Sequence, residues 1–159
     1  MSDTAKLLID SKCALGEGPI WHPGRDQLFF FDINNKTLFA ASADGRIEQE
    51  WNFPEMVAAA AIIDDTALAI VTETELQRLD LDTGQTERIT DIEKDVPTNR
   101  RTDSRVHPSG AFWIGTLVKD ECHNDGAVYH YLRGKLTTIM LYAAITNCSC
   151  FCPYGEPSY

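Results

Sequence analysis

Gln27-Leu28-Phe29-Phe30-Phe31-Asp32-Ile33-Asn34-Asn35-Lys36-Thr37-Leu38-Phe39-Ala40-Ala41-Ser42-Ala43-Asp44-Gly45 decides how this chain is read. It holds two short apolar runs, Leu28–Phe31 and Thr37–Ala40, and closes on an Asp-Gly turn. Degraded copies follow. One runs from Thr66 to Gly84, with Ala67–Val71 and Leu76–Leu79 as its strand-like runs. Another runs from Ala111 to Gly134, with Phe112–Gly115 and Ala127–Tyr131. The turn glycines Gly45, Gly84 and Gly134 lie 39 and then 50 residues apart. That spacing, with about four short strands per unit, predicts an all-β array of propeller blades. In such an array the site is assembled from turns far apart in sequence, so functional residues recur at one phase of the repeat.

The chain of 159 residues has room for three such units of roughly 40–50 residues and the start of a fourth. Closed propellers commonly have about four to eight blades, so the chain reads as a partial one. The corners repeat as well: His22-Pro23-Gly24, Asp64-Asp65-Thr66, His107-Pro108-Ser109-Gly110 and Cys152-Pro153-Tyr154-Gly155. Proline presets a turn dihedral and glycine admits positive φ, so these mark hairpin turns. The fourth places the next unit near Asn147, with the chain stopping mid-hairpin at Tyr159. Residues 1–159 are expected to be a single, partial propeller domain. The alanine-rich run Val57–Ile63 could be helical by composition, but its phase matches a blade's innermost strand, where small side chains suit a crowded axis.

Fourteen Lys and Arg against 24 Asp and Glu give a net charge of −10. A surface of that sign repels phosphate backbones, and Arg100-Arg101 with Arg105 is the densest basic stretch, so no nucleic-acid partner is expected. The N-terminal residues lack a charged start followed by a long apolar run, and no stretch reaches the roughly 18 apolar residues a span requires. No membrane partner is expected either. Five unevenly placed cysteines fit reduced thiols in a cytoplasmic protein. Cys148, Cys150 and Cys152 alternate on one strand face and read as small buried apolar groups. The four histidines, His22, His107, His123 and His130, have no zinc-like spacing, and no Gly-x-Ser-x-Gly elbow occurs.

Polar residues gather just upstream of the innermost strands: Gly16-Glu17-Gly18-Pro19, Asn99-Arg100-Arg101-Thr102-Asp103 and Thr146-Asn147. In a propeller they would share one mouth of the central channel. Glu17 and Asn147 offer hard oxygen donors suited to Ca²⁺, Mg²⁺ or Mn²⁺. The forked donors of Arg100 suit a carboxylate, a phosphate or sugar hydroxyls. Asp103 reads as a structural turn residue.

These segments resemble the regucalcin, gluconolactonase and luciferin-regenerating-enzyme-like family of six-bladed propellers. The matching text is Leu15–Trp21, Asn99–Gly110, Phe112–Leu117, Gly126–Tyr129 and Asn147–Gly155. The resemblance implies a metal-dependent hydrolase of sugar lactones or related esters, using a divalent cation (Ca, Zn, Mg or Mn). On it, Glu17 and Asn147 are metal ligands, while Arg100, Thr102 and Asp120 contact substrate. Thr102 stands where members usually have Asn, Ser104 replaces a Gly, and Tyr154 replaces a turn Asp. The resemblance also puts a third ligand, an Asp serving as catalytic base, beyond Tyr159, in a full chain about twice this length. A competing expectation is a non-catalytic propeller fragment that binds a ligand or partner, or associates with itself through an exposed blade edge.

Overall fold

The computed structural model describes residues 4–120, 124–147 and 150–151. Twelve strands form three four-stranded antiparallel sheets, each a meander in chain order. The first contains β1 (Gly16–His22), β2 (Gln27–Asp32), β3 (Thr37–Ser42) and β4 (Ile47–Asn52). The second contains β5 (Val57–Asp64), β6 (Ala67–Thr72), β7 (Glu75–Asp80) and β8 (Thr86–Asp91). The third contains β9 (Asn99–Val106), β10 (Phe112–Val118), β11 (Gly126–Leu132) and β12 (Lys135–Ala143). Each apolar run expected from sequence is a strand, and Val57–Ile63 is extended, within β5. The first three predicted corners join strands one and two of their sheets. The fourth, Cys152–Gly155, lies outside the described residues, as do His123, Cys148 and Cys152.

Side chains alternate across a strand, and in the middle sheet both faces are used. Ala60, Leu68, Ile70 and Leu79 pack against Phe29, Phe31, Leu38 and Trp51 of the first sheet. Ala59, Ala61, Ala69, Val71 and Leu76 face the other way, onto Phe112 and Ile114 of the third. This is why β5 and β6 read as continuous apolar runs instead of alternating ones. Fully burying each of the larger side chains contributes about 1.5–3 kcal/mol, and these two inter-sheet layers are the core. Alanines dominate β5 because it is wedged between β1 and β9, both of which it contacts.

The innermost strands run in one direction. Near its start β1 touches the start of β5, where Gly18 lies against the Ala58 carbonyl. At the other end His22 Nε2 reaches the Asp64 carbonyl at 3.1 Å. The β10–β11 loop meets the β6–β7 turn through Lys119 Nζ and Glu73. The sheets therefore fan about an axis as propeller blades, and the starts of β1, β5 and β9 share one mouth. Among the described residues no helix is long and apolar enough to cross a membrane.

Gly18 is a tight point of that fan, against backbone. Its φ is +58°, and a Cβ built there falls 2.5 Å from the Ala58 oxygen and 3.0 Å from Phe31. Gly18→Ala is expected to cost about 1–3 kcal/mol for the left-handed backbone and about 1–3 kcal/mol for overpacking. Gly110 also has positive φ, but a Cβ there meets nothing within 4 Å. Comparing urea midpoints of Gly18→Ala and Gly110→Ala separates the two contributions; only the first should show both.

Candidate functional site at the mouth of the blades

The entry to β1 is held by one buried carboxylate. Asp32, at the end of β2, accepts from the Ala14 amide at 2.8 Å and the Leu15 amide at 3.1 Å. The Asn35 side chain donates to it at 2.7 Å and the Asn35 amide at 3.3 Å. Burial raises the Asp32 pKa, but these donors together outweigh it and hold the carboxyl below its ordinary value. The next residues, Gly16 and Glu17, are exposed at the mouth. Pairing of β1 with β2 is irregular between Glu17 and Ile20. An irregularity of this kind re-aims a side chain at a strand end.

On β9 the pairing with β10 shifts between Ile114 and Thr116, so Thr102 and Asp103 together oppose Gly115. Arg100 pairs with Leu117 and Arg101 with Thr116. Gly115 has a packing reason to lack a side chain: a Cβ there would fall 2.4 Å from Thr146 Oγ1. Thr146 settles in that space and donates to the Thr116 carbonyl at 3.0 Å. The next residue, Asn147, is thereby carried to the mouth, where Thr102 Oγ1 donates to its Oδ1. Two residues 45 positions apart in sequence thus meet, Asn147 singled out by the repeat phase and Thr102 by the family resemblance.

Arg100 is partly buried beside them, with Nη1 3.4 Å from the Arg101 carbonyl. Asp120 is exposed just past β10, at the same end of the third blade. It lines a cleft of about 350 Å³ with Thr98, Val118, Lys119 and Asp125. Lys119 Nζ also reaches the Pro97 carbonyl at 2.9 Å. A second space of about 200 Å³ lies between the innermost strands, walled by Gly18, Ile20, Ala59, Ala60 and Asp103. The Asp103 carboxylate is 3.7 Å from Arg105 Nε.

Sequence reasoning passed over a buried polar cluster behind β9. Glu93, between β8 and β9, pairs with Arg101 at 3.0 Å, their side chains 8% and 1% exposed. Tyr129, Thr116 and Asn99 donate to the same carboxylate. Glu93 stands in Ile92-Glu93-Lys94-Asp95, which looks like a solvated charge run. The signal available was the strand period: if Arg100 faces the mouth, Arg101 faces inward and needs a buried anion.

The donor set at the mouth fits a hard divalent cation in kind. Glu17 contributes a carboxylate and Asn147 an amide oxygen, whose second lone pair stays available beside the Thr102 hydroxyl. In number they are two of the six to eight oxygens Ca²⁺ takes. Among the described residues no three His, Cys, Asp or Glu side chains cluster to hold a metal ion.

Residues 15–159 match the SMP-30/Gluconolactonase/LRE-like region, and the chain belongs to that family. It is 36% identical over 162 residues to an L-arabinolactonase of Azospirillum brasilense, covering 98% of this chain and 53% of that protein. With a pentonolactonase of Haloferax volcanii it shares 30% identity, covering 91% and 48% of the two chains. Among solved structures, a calcium-binding protein, regucalcin, from Agrobacterium tumefaciens superposes with a TM-score of 0.86 at 35% identity. That match covers 90% of this chain and 48% of the other. A luciferin-regenerating enzyme shares the fold, with a TM-score of 0.85 at 22% identity. The chain spans about half the length of the curated relatives it matches.

The Asp32 clamp generates a pH prediction. Its lowered folded-state pKa means that its contribution is present above the unfolded value, about 3.9, and is lost as pH falls through the folded one. Asp32→Asn should cost about 1–3 kcal/mol at pH 7. In urea titrations the gap from wild type should close as the pH is taken from 5 towards 2.

Proposed function

We propose that this chain carries the substrate-holding edge and two cation ligands of a sugar-lactone hydrolase. The observation that carries the reading is the Thr102–Asn147 contact, which joins two distant motif residues at the mouth that Glu17 also borders. The named lactonases among its relatives support the substrate class.

On this reading the Arg100 guanidinium donates to lactone and hydroxyl oxygens, and Asp120 accepts from a sugar hydroxyl. Thr102, one atom shorter than an asparagine amide, spends its proton on Asn147. That leaves its oxygen lone pairs as acceptors for a substrate hydroxyl. A cation at Glu17 and Asn147, its remaining ligands supplied by water or further protein oxygens, would make the lactone carbonyl more electrophilic and its bound water more acidic. No residue of this chain is assigned as general base; the family resemblance places that Asp after Tyr159. A positioned base typically contributes about 10²–10⁴-fold, and one charged ligand fewer weakens the hold on the cation, so residues 1–159 alone are expected to bind it weakly and turn over slowly.

Saturation with Ca²⁺ or Mn²⁺ at about 100 times Kd adds about 2.7 kcal/mol to stability, worth roughly 5–10 °C in Tm for a chain of this size. Glu17→Gln should abolish most of that shift while leaving the metal-free Tm within about 1 °C. Arg100→Lys should leave the cation shift intact and lower kcat/KM for D-glucono-1,5-lactone or L-arabinonolactone about tenfold, because a point charge replaces a fork. Scanning calorimetry and a proton-release assay read the two arms. An unchanged cation response in Glu17→Gln would end the ligand assignment.

One observation favours a second reading, association between copies. The outermost strand β12 exposes Ile139, Met140, Leu141 and Tyr142 in succession, at a sheet edge on which no further strand pairs among the described residues. Sedimentation should then show concentration-dependent dimers in wild type and monomers in Met140→Lys. A wild type that stays monomeric at high concentration removes this reading.

A further inference from the structure

We infer that Glu93 is a positioning residue: its carboxylate sets the register of β9 and so places Arg100 and Thr102 at the mouth. The inference rests on the reading of those two side chains as lactone contacts. Glu93 Oε1 accepts from Tyr129 Oη at 2.7 Å and Thr116 Oγ1 at 3.1 Å. Its Oε2 accepts from Arg101 Nη1 at 3.0 Å and Asn99 Nδ2 at 3.1 Å. A carboxylate has about four acceptor sites, and here four side chains fill them, from β9 twice, from β10 and from β11. Arg101 also donates through Nη2 to the Ile92 carbonyl, in the same connecting segment. The Thr116 hydroxyl in turn accepts from the Ala127 amide at 2.8 Å, tying β10 to β11 at this level.

The placement explains what the cluster does. Arg101 points inward, so the period of two turns Arg100 and Thr102 to the opposite side. The irregularity opposite Gly115 begins at Thr102 itself and takes in Asp103, a place where a strand can slip by one residue. Such a slip would exchange the faces of the residues around it. Apolar side chains of equal volume would fill the space behind β9 but tolerate that slip. An ion pair with directional donors on each side does not. Buried ion pairs are weak evidence for stability and better attested as devices that fix register. Glu93 itself has φ +43°, a conformation that carries strain in a non-glycine residue and that concentrates at functional sites. Burial and the bond to Glu93 raise the Tyr129 pKa, keeping its hydroxyl a donor. Burial lowers that of Arg101, opposed by the Glu93 charge, and an arginine remains a cation at neutral pH.

The test separates register from stability with two variants. Glu93→Gln/Arg101→Leu removes both charges and restores apolar packing; Tyr129→Phe removes one donor and leaves the charges in place. Each is measured for Tm, for amide hydrogen exchange across Arg100–Ser104, and for kcat and KM on D-glucono-1,5-lactone with Mn²⁺. In the double variant, exchange is expected to accelerate at least tenfold and kcat/KM to fall about 10–100-fold, on the scale of a 1 Å misplacement, with Tm within a few degrees of wild type. Tyr129→Phe should show the same pattern at roughly threefold; if the double variant does not fold, it decides alone. Wild-type exchange in β9 of the folded double variant, or of Tyr129→Phe, overturns the inference. A wild type that neither binds nor hydrolyses the lactone, but whose exchange responds as described, sinks the hydrolase reading and leaves the register role of Glu93 standing.

Discussion

Everything in this molecule depends on three innermost strands sharing one axis. β5 sits between β1 and β9, so its side chains must be small on both faces, and Val57–Ala61 is wholly buried. Larger residues would push the blades apart at the centre and open both apolar layers. Because β1, β5 and β9 run the same way, their starting residues converge whatever their separation in sequence. That convergence is what the proposed site draws on: Glu17 and Arg100 stand at the starts of β1 and β9, and the return of the chain from β12 brings Asn147 to Thr102.

Much of this is visible in the sequence because inner and outer strands obey different rules. Strands that feed the core, such as Leu28–Phe31 with Phe29 and Phe31 fully buried and Ala67–Val71 buried on both faces, announce themselves as apolar runs bounded by turn residues. The outer strands do not: Thr86–Asp91 is mostly exposed, and its Thr-Glu-Arg-Ile-Thr-Asp text has no apolar face to read. The blades were therefore countable from their cores and corners, while their rims were not. Of the site, the phase of the repeat picks out Glu17, Arg100 and Asn147. Thr102 and Asp120 come from the family resemblance, and the contact of Thr102 with Asn147 depends on Gly115 and Thr146, neither of which carries chemistry of its own.

Glu93 shows why the remainder was hidden. Its neighbours Lys94 and Asp95 are exposed, and a charge in such company reads as solvated. What buries it is the pairing of β9 with β10 and of β10 with β11, which puts Asn99, Arg101, Thr116 and Tyr129 around one point. Those four residues lie in three separate strands and share no motif. Only three-dimensional register brings them together, so periodicity along one strand cannot reveal the group. Asp32 is similar: it looks like an ordinary turn residue, yet its four donors hold the segment that presents Glu17.

The contact between Gly115 and Thr146 has an evolutionary consequence. Position 115 has no room for any side chain while a hydroxyl-bearing residue lies against it, and the amide that follows is delivered to the mouth by that same contact. The two positions should therefore vary as a linked pair, unlike the permissive rim strand between them. A library randomising 115 alone would discard nearly every member, whereas one that diversifies the exposed face of β12 would retain the site's outline. Constraint at this mouth thus reaches into the interior of β10.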